Sequence, residues 1–222
     1  MTIGIRSHGF VAQRQKMVAA QLRARGIRDE RVLAAMGKVP RHLFVADEHR
    51  DSAYEDHPLP IGGDQTISQP YIVAFMLEVL ALDGPETVLE IGAGSGYQTA
   101  LLGELARQVY SVERHASLAR TAHATLARLG YTNVEVLIGD GGNGFADRAP
   151  FDAIVVSAAA PQIPPPLFDQ LREGGRMVVP VGSAQAQELQ LVRKHGGQPV
   201  VSTMEGCRFV PLIGSEGYRS GW

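Results

Sequence analysis

Apolar positions change their period near Pro70. Before it, Val11, Met17, Val18 and Leu22 recur at helical spacing and predict an amphipathic helix over residues 10–26, with Gly26 as its stop. Val32, Leu33 and Met36 predict a shorter helix over residues 29–36, with Gly37 beyond it and a turn at Pro40. Residues 41–68 are rich in Asp, His, Pro and Gly and show no period. A passive loop of that length is uncommon, which marks the stretch as functional or as holding structure that the pattern does not show.

From Pro70 the pattern alternates. Tyr71, Phe75, Leu77, Val79 and Leu80 predict a helix that stops before Asp83-Gly84-Pro85. Short apolar runs at 87–91, 109–113, 134–138, 151–156 and 177–179 predict strands. Helical stretches at 97–106, 116–129 and 166–171 separate them. Near-continuous apolar strands between helices imply an α/β fold: a mostly parallel central sheet, helices on both faces, Rossmann-like, with an N-terminal helical extension. Runs at 189–193 and 200–204 flank His195-Gly196-Gly197 and predict an antiparallel pair. One domain over 1–222 is expected, divided at 1–69, 70–182 and 183–222.

Composition narrows the partners. The chain has 222 residues, 45% hydrophobic and 20% charged, with a net charge of -2. That balance speaks against binding nucleic acid through phosphate neutralisation. The single cysteine, Cys207, excludes an internal disulfide and a Cys-rich zinc site and reads as a small packed side chain. The histidines are scattered without ligand spacing, so no metal is expected. No apolar run follows the basic residues Arg6, Arg14 and Lys16, and the longest apolar stretch, 71–82, contains Glu78. No signal peptide or membrane span is expected, and the default location is cytoplasmic.

Candidate chemistry centres on Glu90-Ile91-Gly92-Ala93-Gly94-Ser95-Gly96, which follows a strand and opens a helix. Such a turn fits a dinucleotide fingerprint, a methyltransferase loop or a tight structural turn. Tyr97 replaces the last glycine of G-x-G-x-x-G. Glu90 at the strand end would repel a pyrophosphate but welcome the ammonium and cationic sulfur of S-adenosylmethionine. Glu113 ends the next strand, where a carboxylate accepts from ribose hydroxyls. Asp140, before Gly141, ends the third and could accept from an adenine amino group. Each carboxylate alone reads as a satisfied surface or capping group; together, at successive strand ends, they favour a nucleoside site.

Five segments carry a resemblance. Asp64-Gln65-Thr66-Ile67-Ser68-Gln69-Pro70-Tyr71 and the glycine-rich segment from Val88 to Ala100 closely resemble the protein-L-isoaspartate O-methyltransferase family. Ser111-Val112-Glu113-Arg114, the segment from Phe151 to Pro161, and Arg208-Phe209-Val210-Pro211-Leu212 agree in the same register. The resemblance implies methyl transfer from S-adenosylmethionine, leaving S-adenosylhomocysteine, to the free α-carboxylate of L-isoaspartyl residues in damaged proteins and peptides. The ester then closes spontaneously to a succinimide, which starts repair. The last two strands are expected to be exchanged relative to the usual methyltransferase order.

The resemblance also implies roles. Ser68 is the catalytic candidate. Thr66, Ile67, Ser68, Gln69, Glu90, Gly92, Gly94, Ser95, Gly96, Glu113, Asp140 and Gly141 are the cofactor candidates. Ile61, Ser68, Arg208, Val210 and Pro211 are the acceptor candidates. Residues 1–69 would then carry the active-site loop, 70–182 the cofactor core, and 183–222 the acceptor segment. From local sequence, Ser68 also reads as the N-cap of the helix that begins at Pro70. A small-molecule methyltransferase of the same fold and a non-catalytic adenosine-nucleoside binding module are the alternatives. Neither has an obvious need for the Ser68 or Arg208 segments.

Overall fold

The computed structural model describes residues 3–219. Helix α1, Ile3–Met17, continues through a π-turn, Val18–Leu22, and a 3-10 turn, Arg23–Arg25. It stops at Gly26, whose φ of 104° lies in the left-handed region. Helix α2, Glu30–Lys38, is capped by the Asp29 carboxylate, which accepts from Arg31 N and Val32 N. Gly37 lies inside α2 rather than beyond it. Its bare backbone admits Val18, and its carbonyl accepts a 2.8 Å hydrogen bond from Arg14 Nε. The helix ends instead where Val39, extended at ψ 124°, precedes Pro40.

The patternless stretch holds two 3-10 turns, Arg41–Leu43 and Asp47–Ser52. A small hairpin follows, with strands β1, Leu59–Gly62, and β2, Gln65–Ile67. Helix α3, Pro70–Leu80, leads into strand β3, Thr87–Ile91, and helix α4, Tyr97–Leu105. Then come β4, Gln108–Glu113; α5, Ala116–Arg128; β5, Val134–Ile138; and β6, Phe151–Val156. Short helix α6, Pro165–Asp169, precedes β7, Leu171–Gly182; β8, Gln187–His195; and β9, Gln198–Cys207.

The main sheet runs β5-β4-β3-β6-β7-β8-β9. The first five of these pair in parallel; β8 pairs antiparallel to β7 and to β9. Thus β8, not β9, lies beside β7 and β9 takes the edge. Strand alternation feeds two cores. Val88, Val109, Ala153, Val155 and Val178 join the N-terminal helices, while Leu89, Ile91, Val112, Ile154, Val156 and Met177 pack on the opposite face. No helix among the described residues is long and apolar enough to cross a membrane.

Strand β7 is much longer than its apolar run of 177–179. Arg172-Glu173-Gly174-Gly175 fall in a register shift, between Leu171, which pairs with Phe151, and Arg176, which pairs with Ala153, a pattern without periodic signal.

Candidate functional site: two cavities that share a wall

Parallel strands deliver their carboxyl ends to one edge of the sheet, and two cavities open there. The first lies over the turn between β3 and α4. Gly92, Gly94 and Ser95 form its floor, and Ile91, Val112, Glu113 and Gly141 flank it. Gln65, Thr66, Ile67 and Ser68 close it from the hairpin side. Gly141 has a steric reason to be glycine: a Cβ there would stand 2.4 Å from Ile91 Cγ2.

Glu113 anchors the turn. Its Oε2 accepts from Gly94 N at 2.9 Å and its Oε1 from His115 N at 2.8 Å. The residue is only 5% exposed, yet it lines the cleft. A carboxylate offers about four lone-pair sites, so two remain for a ligand diol. Arg114 is exposed at the rim and is the cleft's only Lys or Arg among the described lining residues. This acceptor-bearing lining therefore suits a nucleoside bearing hydroxyls and positive charge better than a pyrophosphate.

Two expected cofactor carboxylates are placed differently. Glu90 is fully buried and is not on the cleft wall. It shares a strand face with Val88, so it points beneath α4. There its Oε2 accepts from Thr99 Oγ1 at 2.5 Å and Ser111 Oγ at 2.6 Å. Its Oε1 has no partner among the described residues. Burial pushes the carboxyl up to about 7 against the pull of both hydroxyls, with nearby Glu113 adding to the rise. Asp140 also stands off the wall. It accepts from Gly142 N at 2.9 Å and from Ser215 N at 2.8 Å, tying down the C-terminal segment. Gly96 is likewise behind the cleft; with φ 88° it starts α4 against Ala122, 3.0 Å from where a Cβ would sit.

The second cavity has a volume of 690 Å³ and is the larger. Arg25, Pro58, Gln69, Tyr71 and Ile72 line one side; Glu205, Cys207, Arg208 and Phe209 line the other. Gln69, expected among the cofactor residues, thus lines this groove and not the first cavity. The Arg25 guanidinium lies 3.6 Å from the Tyr71 ring centroid and pairs with Asp56. Buried Gln187 on β8 clamps the Phe209 backbone, accepting from its N at 2.7 Å and donating to its O at 3.1 Å. Ala159 holds the next turn through Val210 O and Leu212 N, both at 2.8 Å. Burial and the neighbouring Glu205 and Glu188 raise the Cys207 thiol to about 11, so it is not a nucleophile at neutral pH. Ile61 lines neither cavity; its Cδ1 would meet a Cβ on Gly94 at 3.1 Å, so it packs the hairpin over the glycine turn.

Thr66, Ser68, Ser157, Val210 and Pro211 line both cavities and form the shared wall. Ser68 is not a helix cap. The N-cap of α3 is Gln69, with Pro70 following, and no side chain caps it. Asp56 Oδ1 takes the Tyr71 N–H of the first turn at 3.0 Å instead. The Ser68 hydroxyl has no hydrogen-bond partner among the described residues. Ser157 escaped the sequence reading. It follows β6 and accepts from Gln98 Nε2 at 2.9 Å. Its place at the carboxyl end of the most apolar strand was the available signal.

Comparison with known proteins fits this geometry. The family model described as protein-L-isoaspartate(D-aspartate) O-methyltransferase matches residues 12–217. A protein-L-isoaspartate O-methyltransferase of Koribacter versatilis is 57% identical over 210 residues, covering 95% of each chain. One from a Synechococcus strain is 62% identical, covering 93% of this chain and 88% of its own. A solved protein-L-isoaspartate O-methyltransferase superposes with a TM-score of 0.83 at 31% identity, over 91% of this chain and 66% of that longer one. A Plasmodium falciparum structure, titled a putative protein-L-isoaspartate O-methyltransferase in complex with S-adenosyl-L-homocysteine, shares the fold: TM-score 0.79, 24% identity, covering 90% of this chain and 98% of that one. The chain belongs to the protein-L-isoaspartate(D-aspartate) O-methyltransferase family.

Proposed function

We propose that the two cavities divide the family's reaction between them. The cleft over the glycine turn holds S-adenosylmethionine, and the groove holds the isoaspartyl segment of a damaged protein or peptide. Ser68 stands where they meet. That shared position, with an unengaged hydroxyl, carries the reading. Glu113 would accept from the ribose hydroxyls, and Gly92, Gly94 and Gly141 would let the ligand approach the backbone closely. When bound, S-adenosylmethionine supplies an electrophilic methyl group on a cationic sulfur.

The acceptor carboxylate, with an ordinary pKa near 3–4, is already ionised at neutral pH and needs no general base. The protein's task is alignment, which can contribute on the order of 7–11 kcal/mol. Ser68 Oγ would donate to one acceptor oxygen and leave the other to attack. Val210 and Pro211, braced through Gln187 and Ala159, would present backbone to an extended peptide. One domain over 1–222 suits this division, because the N-terminal helices share a core with the sheet.

The test is methyl transfer to an isoaspartyl peptide beside its aspartyl twin, with labelled cofactor. Incorporation into the isoaspartyl peptide alone is expected. Equal incorporation into both would overturn the acceptor assignment.

A further inference from the structure

Arg41 is fully enclosed, at 0% exposure, and is the only Lys or Arg among the described residues that is. Its Nε donates to Ala53 O at 2.7 Å and its Nη2 to Ser68 O at 2.8 Å. Nη1 is buried with no partner among the described residues. The guanidinium lies 4.9 Å from the centroid of the buried Tyr97 ring. No carboxylate pairs with it among the described residues: Asp56, the acid that pulls on it electrostatically, is engaged by Arg25 and Tyr71 N. Burial lowers it only to about 10, so it stays cationic at neutral pH.

A buried cation without a counter-ion is costly. Tying two carbonyls together does not require a charge; a neutral amide can donate to both. The charge needs another reason, and the nearest one lies across Ser68. The wall that holds Ser68 faces the groove assigned to a carboxylate, and Arg41 itself lines neither cavity.

We propose that Arg41 is a positioning residue for methyl transfer, fixing the Ser68 backbone and holding an uncompensated positive charge behind the acceptor carboxylate. This rests on the reading of Ser68 given above. The guanidinium reaches back to Ala53, so the segment that carries Ser68 is referenced to the N-terminal layer rather than to the hairpin. Its field favours an anion on the far side of the serine, where a second carboxylate from the protein would defeat it.

The experiment compares Arg41→Gln and Arg41→Lys with the wild-type enzyme. It measures kcat and KM for an isoaspartyl peptide, S-adenosylhomocysteine affinity by calorimetry, and thermal melting. Arg41→Gln is expected to lower kcat/KM for the peptide by about tenfold or more while product affinity stays within about threefold. Arg41→Lys keeps the charge but cannot span both carbonyls, and should fall between the two. Wild-type kcat/KM in Arg41→Gln overturns the proposal, as does Arg41→Lys no better than Arg41→Gln. If Arg41→Gln does not fold, Arg41→Lys decides alone: reduced peptide kcat/KM with intact product affinity supports the proposal, and wild-type kcat/KM overturns it. Ser68→Ala, assayed beside them, separates two failures. A fast Ser68→Ala enzyme sinks the reading of Ser68; a slow one beside a fast Arg41→Gln sinks only Arg41. The double variant should lose less than the product of the two single losses, because the serine's alignment is shared while the charge acts on its own, and fully multiplied losses overturn the coupling.

Discussion

The cleft proposed for the cofactor takes its floor and one wall from strand-to-helix turns of β3, β4 and β5, each within a few residues of its strand. The groove proposed for the acceptor joins Arg25, residues 58–72 and residues 205–211, segments that meet only in three dimensions. The cleft is held mainly by backbone bonds that any sequence folding this way would make, such as Gly92 N to Val112 O at 2.8 Å. The groove depends on single side chains reaching across: Gln187 to Phe209, Asp56 to Tyr71, Arg41 to Ser68. One substitution in the groove should therefore change acceptor handling while leaving the cleft intact. The reverse holds only where a cleft residue also supports backbone.

Glu113 is such a residue, and it should give the largest effect. Glu113→Ala removes the proposed ribose acceptor and strands the Gly94 and His115 N–H groups. Loss of charge-assisted hydrogen bonds worth roughly 1.5–3 kcal/mol predicts ten- to hundredfold weaker cofactor binding, with a lower melting temperature. Calorimetry with S-adenosylhomocysteine measures the first and a melting curve the second. Unchanged affinity in a folded Glu113→Ala protein would remove the carboxylate from the cofactor site.

Ser68→Ala probes the shared wall from the other side. Turnover of isoaspartyl peptide should fall about ten- to hundredfold, the value of roughly 1.5–3 kcal/mol for one hydrogen bond to a charged group. Product affinity should barely move. Because Gln69, not Ser68, occupies the N-cap position of α3, the usual penalty of about 0.5–2 kcal/mol for a lost cap should be absent. An enzyme that melts early and turns over normally would restore the capping role.

The same contrast explains what the sequence made legible. Thr87–Ile91 and Phe151–Val156 are strands with the bounds their apolar runs suggest, because burial on both faces leaves little choice of residue. The hairpin β1–β2 gave no signal: its strands are four and three residues long and interrupted by Pro60 and Gly62. Glu90 was legible as a strand residue but not in its direction, since the cleft and α4 lie on different sides of the same strand end. Ser68 could be found only through resemblance, and Arg41 not at all. A lone arginine in a polar stretch reads as solvated, and only the fold reveals that two carbonyls and an aromatic ring enclose it.

The smallest expected effect on binding and turnover concerns Glu90, which sits under the cleft without touching it. Its two hydroxyl donors favour the carboxylate, and its burial favours the neutral acid; burial wins, placing it at about 7 rather than the ordinary 4.5. The consequence for stability has a definite sign. Below pH 4.5 the side chain is protonated in both folded and unfolded chains, and its stabilising contribution is complete. Between 4.5 and about 7 the unfolded chain releases the proton while the folded one keeps it, so stability falls as pH rises. Above 7 both forms are ionised and the loss is complete. Glu90→Gln is neutral throughout, and its amide oxygen can still accept from Thr99 and Ser111. The melting temperature of Glu90→Gln minus that of wild type should therefore rise between pH 4.5 and 7 and level off above it. Taking the difference cancels the other carboxylates, whose titration the two proteins share. A difference that stays flat across this window would mean that the hydroxyls outweigh burial and that Glu90 is ionised beneath the glycine turn. It would then present a fixed negative charge to the cleft from below, and the expectation of a cation-attracting carboxylate there would return in altered form.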